Sequence, residues 1–400
     1  MAPAVGCDAR GARGGSGNIC RGGGLGSGIW GSFLANGLWA SLVGSGLWAS
    51  HAGCGPWNAR AGHGPCGACP AQACAANAAA VEAFDATLSM FERLHGHAIP
   101  WQWADGTDLG APIRIEPRAG ETDNAAYLRG EKVLKFFHFL PPGWPECARV
   151  YTCRSADIVV HETAHAVLDA FRPHWLVPVS GSGAPSPQTL ALHEAFCDLA
   201  DIFFFLSQLD LVEYVVALTG ADLHVPSPLS SLGEQYGLAF GLTNGFRTAL
   251  NELTMDDVST DCHALAQVFT GAVYDSLADI YESALHSHRR ESPAGVLAHC
   301  AHDLARVVVE AFFTSPADDA VFSNVANEIV QGAAAHDVAW RTPFQRHFER
   351  RKILVPAMPS IPLSPGRPAA PALEALPSGR RGTPARIDRC CGTIRGHLHR

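Results

Sequence analysis

The chain has 400 residues, 47% of them hydrophobic and 17% charged, which excludes global disorder and leaves room for a sizeable core. The net charge of −9 is unevenly spread: residues 1–75 carry four Arg against one Asp, residues 351–400 carry nine Lys/Arg against two acids, and residues 76–350 hold 16 bases against 35 acids. So acidic a body lacks the clustered cations that phosphate contacts need, and no nucleic-acid partner is expected.

In chain order, residues 1–77 read as a low-complexity, Gly/Ala/Cys-rich disordered extension. A nonapeptide recurs three times within it and places Trp30, Trp39 and Trp48 nine residues apart. Its glycine and serine content makes it poorly helical and only mildly apolar, so membrane association is not expected. There is no tidy charged, apolar and small-residue succession of the signal-peptide kind. The compartment stays unassigned, with the cytoplasm favoured. Thirteen cysteines cannot all pair internally, and only five lie in the acidic body, which does not resemble a disulfide-stapled domain. The Cys54–Cys74 cluster, with His63 beside it, lacks a second ligand pair at zinc-finger spacing and is not taken as a metal site.

Residues 79–94 show helical spacing and end at His95-Gly96. Residues 112–115 and 133–137 read as short strands, separated by a polar turn region around Gly120–Asn124. From residue 155 almost to 350 the pattern is helical, with segments predicted at 157–171, 187–207, 262–286, 294–313 and 318–335. Residues 351–400 read as a Pro/Arg-rich disordered tail. The predicted fold is α+β: a small mixed or antiparallel sheet lobe with one central helix over 78–172, then a mainly helical lobe over 173–350.

The chemistry concentrates in His161-Glu162-Thr163-Ala164-His165. On an α-helix, positions i and i+4 share a face, so two imidazoles can reach one metal ion, with the glutamate near enough to take a proton from a bound water. The surrounding residues (Val159, Val160, Ala164, Val167, Leu168) predict a buried helix, where unused polar groups would be costly. A Pro/Gly/Ser-rich loop follows, and Ser186-Pro187 suits the start of a second helix. That helix carries Glu194 and Asp198, again i and i+4, amid Leu190, Leu192, Phe196 and Ile202. Two carboxylates on so apolar a helix need partners: a metal for Glu194, and the N–H of a ligating histidine for Asp198. His174 and His193 flank the pair as lesser candidate ligands. Cys197 reads as a small buried residue.

His-Glu-x-x-His followed by Glu-x-x-x-Asp resembles the thermolysin-like zinc metallopeptidases, or gluzincins more broadly. The resemblance implies that His161, His165 and Glu194 bind Zn²⁺, that Glu162 is the general base, and that Asp198 holds His161. It also implies that His263, eleven residues before Tyr274, stabilises the oxyanion, and that Asn124-Ala125-Ala126-Tyr127 holds the substrate backbone beside an edge strand. Residues 133–137 are expected to form that edge. Two departures stand out: 28 residues separate His165 from Glu194, and no tyrosine lies between the two helices to serve as a second oxyanion donor. His263 would then carry more of that work, with Arg247 as a candidate helper. Asp256 or Asp257 could orient the His263 ring, while Asn251 and Glu252 read as a solvated helix end.

The expected activity is zinc-dependent hydrolysis of peptide bonds in a peptide or protein substrate. The competing readings are a non-catalytic peptide-binding protein on the same scaffold, and a zinc hydrolase acting on a non-peptide amide or ester.

Overall fold

A computed structural model describes residues 70–101, 113–145, 149–176, 184–242 and 245–356. The fold is α+β, as predicted: mainly helical, with three small sheets among the described residues. The tryptophan repeat, the cysteines from Cys54 to Cys69 and residues 357–400 lie outside the described residues.

The first helix, α1 (Pro70–His95), begins inside the stretch expected to be unstructured. Pro70 suits a first helical position, and the alanine-rich run after it has the best intrinsic helix propensity. A mixed sheet follows, built from β1 (Arg114–Glu116), β2 (Ala125–Leu128) and β3 (Val133–Phe136) in the order β1-β3-β2. β1 runs parallel to β3, with Ile115 opposite Leu134, and β2 antiparallel, with Ala125 opposite Phe136 and Tyr127 opposite Leu134. Strand 133–137 is therefore not the edge; it is the central strand, because β2 pairs on its open side. β2 takes the edge position, facing the next helix. A two-stranded pair, β4 (His138–Phe139) with β5 (Val150–Tyr151), leads into that helix.

Helices α2 (Ala156–Phe171) and α3 (Pro187–Leu206) match the predicted segments closely. Ser186 caps α3 by accepting the Thr189 N–H at 3.2 Å, with Pro187 at the first position as expected. α4 (Leu209–Thr219) ends at Gly220, whose left-handed φ of 66° suits glycine. A hairpin, β6 (Ser231–Leu232) with β7 (Arg247–Thr248), encloses the short helix α5 (Glu234–Ala239). At Gly237 any Cβ would lie 2.6 Å from the Gly245 carbonyl carbon, so only glycine lets α5 lie against the approach to β7. The last helices are α6 (Cys262–Ser287), α7 (Pro293–Thr314), α8 (Phe322–His336) and α9 (Arg341–Arg350). Among the described residues no single helix is long and apolar enough to cross a membrane.

α3 packs against both α2 and α6, which places the two predicted ligand helices side by side in the interior. One core cluster runs from Met90 and Phe91 of α1 through α2, α3, α6 and α7 to Ile353. It crosses the expected boundary at residue 172 without interruption: Phe91 stacks on Phe196 with ring centroids 5.3 Å apart. A second cluster, including Tyr127, Leu134, Phe136 and Val159, joins the sheet to α2.

The sheet is also tied to α2 by polar contacts. The buried Tyr127 hydroxyl donates to Asp169 Oδ2 at 2.8 Å, and Arg129 pairs with the other Asp169 oxygen. Burial pushes the Asp169 carboxyl up to about 6, against the pull of Arg129 and the Tyr127 hydroxyl. Raised above its unfolded value near 4, this carboxyl holds its proton more tightly in the folded protein. Its contribution to stability is therefore full below about pH 4 and lost as the pH rises to about 6. Urea-unfolding free energies are expected to show a wild-type decline over that window, on the order of 3 kcal/mol, that Asp169→Asn lacks.

Candidate metal centre

α2 and α3 place the Glu194 carboxylate against both predicted histidines. His161 Nε2 lies 3.3 Å from Glu194 Oε2, and His165 Nε2 lies 3.6 Å from Glu194 Oε1. The two imidazoles meet edge to face, with centroids 4.9 Å apart. His263, at the start of α6, places its Nε2 3.4 Å from Glu194 Oε2. Donor atoms bound at about 2.1 Å to one tetrahedral cation are about 3.4 Å apart, so all three separations suit shared coordination.

Hydrogen bonding leads to the same place. His161 Nε2, His263 Nε2 and both Glu194 carboxylate oxygens are buried and accept or donate no hydrogen bond. Four orphaned polar atoms in one interior spot would cost several kcal/mol without a further partner. A cation fits this donor set of imidazole and carboxylate. Two thiols stand close by: Cys197 lies within 4.8 Å of the His161 and His165 ligand atoms, and Cys262 within the same reach of Glu194 and His263. Burial, followed by the charge of Glu194, raises both thiols well above the usual cysteine value.

A polar shell holds these side chains. His161 Nδ1 is 3.3 Å from Asp198 Oδ1, the arrangement expected for Asp198. Asp198 is itself gripped by Arg247, whose Nε donates to Oδ2 at 3.1 Å while the terminal nitrogen pairs with Oδ1. This corrects the expected place of Arg247 beside the oxyanion: its guanidinium belongs to the Asp198–His161 chain. His165 pairs with His193, which the sequence offered as a lesser candidate ligand: its Nδ1 lies 2.7 Å from His193 Nδ1, with the rings stacked, so His193 stands behind His165. His174 is exposed.

Charges in the cage are strongly coupled. Burial opposes protonation of His161, but Asp198 and Glu194 against its two nitrogens override it and raise its pKa well above the usual histidine range. For His165, burial together with His193, His161 and His263 outweighs the pull of Glu194 and lowers the pKa well below that range. Burial would raise Glu194, yet His263, His165 and His161 hold it well below the ordinary carboxylate range. The carboxylate is thus ionised.

Glu162, the buried neighbour of the first histidine, accepts the Tyr127 backbone N–H at 2.9 Å. Edge strand β2 thus fixes the carboxylate expected to act as base. The substrate-contact expectation divides here. Asn124 and Ala125 line the cavity beside Glu162, whereas the Tyr127 side chain is fully buried and bonds Asp169. Tyr274, one of the family's expected markers, is buried too, with its hydroxyl donating to the Leu223 carbonyl at 3.0 Å. Asp256 and Asp257 do not reach His263: the first pairs with Lys352 and the second accepts from Thr254. His263 Nδ1 instead meets Cys262 Sγ at 3.6 Å, with Oδ1 of Asp261, the N-cap of α6, 3.9 Å away.

Compared with known proteins, the chain matches no protein-family model, and no curated relative matches it.

Proposed function

We propose that this protein is a zinc-dependent peptidase of the gluzincin type, with His161, His165 and Glu194 as metal ligands and Glu162 as general base. The observation that carries the reading is the convergence of His161 Nε2, His165 Nε2 and the Glu194 carboxylate at 3.3 and 3.6 Å inside the core, next to a separately anchored glutamate.

His161, His165 and Glu194 would hold the zinc, which would supply Lewis acidity and lower the pKa of a water toward 7. Glu162, held by the Tyr127 N–H, takes the proton as water attacks the carbonyl carbon and delivers it to the leaving amine. Asp198, braced by Arg247, fixes the tautomer and orientation of His161, and His193 does the same for His165. His263 donates from Nε2 to the developing oxyanion, and its buried Nε2 without a hydrogen bond suits that role. A pool of quenched random peptides should be hydrolysed, with activity abolished by a chelator and restored by zinc. No turnover by zinc-loaded protein would refute the assignment.

One distance favours a second reading. His263 Nε2 stands as close to Glu194 as the two ligand histidines do, so His263 could complete a closed four-ligand set of the structural kind, leaving a peptide-binding protein without turnover. His263→Ala separates the two. As an oxyanion donor, its loss lowers kcat by roughly 10²–10³-fold and leaves zinc affinity unchanged. As a fourth ligand, its loss weakens zinc binding measured by competition with a chromophoric chelator.

A further inference from the structure

We infer that the cavity between α1, the end of α3 and α7 is the docking site of the tryptophan repeat of residues 26–52, one of whose indole rings fills it. This contact takes nothing from the peptidase reading.

The cavity measures about 210 Å³. Met90 of α1 and Phe203 and Leu206 of α3, all buried, line it on one side. On the other side stand Ala298, Ala301 and Ala305, which share a face of α7 at i, i+3 and i+7. The space exists because these three are alanines; a leucine side chain at one of them would take it up. An apolar cavity of roughly 150 Å³ takes up benzene. The cavity here therefore suits one larger ring and is too small for a helix or a strand. Arg93, Ser207 and His302 are exposed at its rim, so it opens to solvent on their side. Water against such walls is released favourably when an apolar ring replaces it.

Charge separates the two terminal segments that lie outside the described residues. Arg93 and His302 form no hydrogen bond or ion pair among the described residues. Residues 357–400 contain no aromatic side chain and carry seven Arg against two acids, so an arginine at the rim repels them. Residues 22–59 contain no Asp, Glu, Lys or Arg, and within them Trp30, Trp39 and Trp48 each follow an Ile or a Leu. An indole ring attracts a guanidinium to its face and needs no counter-charge to do so, which suits Arg93. Three copies of one apolar unit on one tether also raise the local concentration of the ring that fits.

Reach is sufficient. Trp48 precedes Pro70, the first residue of α1, by 22 residues, a contour of up to about 75 Å. Met90 lies 20 residues along α1 from Pro70, about 30 Å. The helix that the repeat leads into is thus the one that supplies a wall of the cavity, and the segment docks by folding back along α1.

The test titrates indole into the full chain and reads binding by calorimetry. Protein carrying Trp30→Ala, Trp39→Ala and Trp48→Ala should bind one indole per chain. Wild-type protein should bind it about tenfold more weakly, because its own side chain competes. Adding Ala301→Leu to the triple variant should abolish binding, with the fold checked by circular dichroism. Ala298→Leu, at a half-buried position, is the second filling variant and should do the same if Ala301→Leu disturbs the fold. Equal indole affinity in wild type and triple variant would overturn the inference, as would no binding by the triple variant or binding that survives both leucine substitutions. The wild-type deficit should stay constant over about two decades of protein concentration. A deficit that grows with concentration would put the repeat of a second copy in the cavity and overturn the contact within one chain.

Discussion

Glu162→Gln is expected to lower kcat/KM for peptide cleavage by roughly 10³-fold, within the 10²–10⁴ that a positioned general base contributes, while zinc stays at one per chain. The substitution isolates proton transfer because glutamine keeps what the fold requires of this side chain. Its amide oxygen can still accept the Tyr127 N–H that Glu162 accepts at 2.9 Å, so β2 stays docked on α2. None of the three ligands is altered, and the Asp198–Arg247 brace is untouched. A drop in kcat with KM nearly unchanged is therefore the expected form. Cleavage at the wild-type rate in a clean preparation would remove Glu162 from the mechanism. Loss of zinc along with activity would instead make Glu162 a structural part of the cage.

Much of this centre was legible in the chain, for a physical reason. The i, i+4 spacing converts sequence directly into a shared helix face. Two apolar helices, each carrying such a polar pair, can hardly bury those pairs except against each other, and α2 and α3 do so. Ser186-Pro187 marked the start of α3 because capping is local chemistry. What sequence could not show are the long-range partners. Arg247 reaches Asp198 across 49 residues, and His193 meets His165 only because adjacent positions on α3 face two different neighbours. β2 was hidden for another reason. Its first three residues are all buried, so the alternation that betrays a half-buried strand is missing. With β2 unseen, β3 was left looking like an edge.

The charge pattern misled in a comparable way at the end of the helical body. Arg351-Lys352 looks like the start of a solvated basic tail, and Asn251 like a solvated helix end. The two are partners in the interior, and Asn251 lies in a loop. Arg351 is 1% exposed; its Nη1 donates to Asn251 Oδ1 at 2.8 Å and to the Leu253 carbonyl at 2.7 Å, and Nη2 donates to Asp275 Oδ2 at 2.8 Å. A sequence pattern has no way to reveal a cation whose ligands lie 76 to 100 residues away.

Arg351→Met is accordingly expected to destabilise the protein by about 3–5 kcal/mol, the cost of removing one member of a buried ion pair and leaving Asp275 uncompensated. Asp275, 4% exposed on α6, would keep Arg350, whose side chain is 46% exposed, at 3.0 Å, and His347 Nδ1 at 3.5 Å. The carbonyl of Leu253 and the side chain of Asn251 would lose their donor, which loosens the segment leading into α6 and its first-turn His263. Gly271 shows how closely the guanidinium is fitted: any Cβ there would come within 2.8 Å of Arg351 Nη2. Chemical denaturation followed by tryptophan fluorescence checks the magnitude, with Arg351→Lys as the control that keeps the charge but not the fork of donors. Double replacement of Arg351 by methionine and Asp275 by leucine should recover part of the loss, because it removes the stranded charge as well as its partner. A shift below about 1 kcal/mol for Arg351→Met would mean that water or Arg350 fully substitutes, and that the C-terminal clasp is not what seats the start of α6.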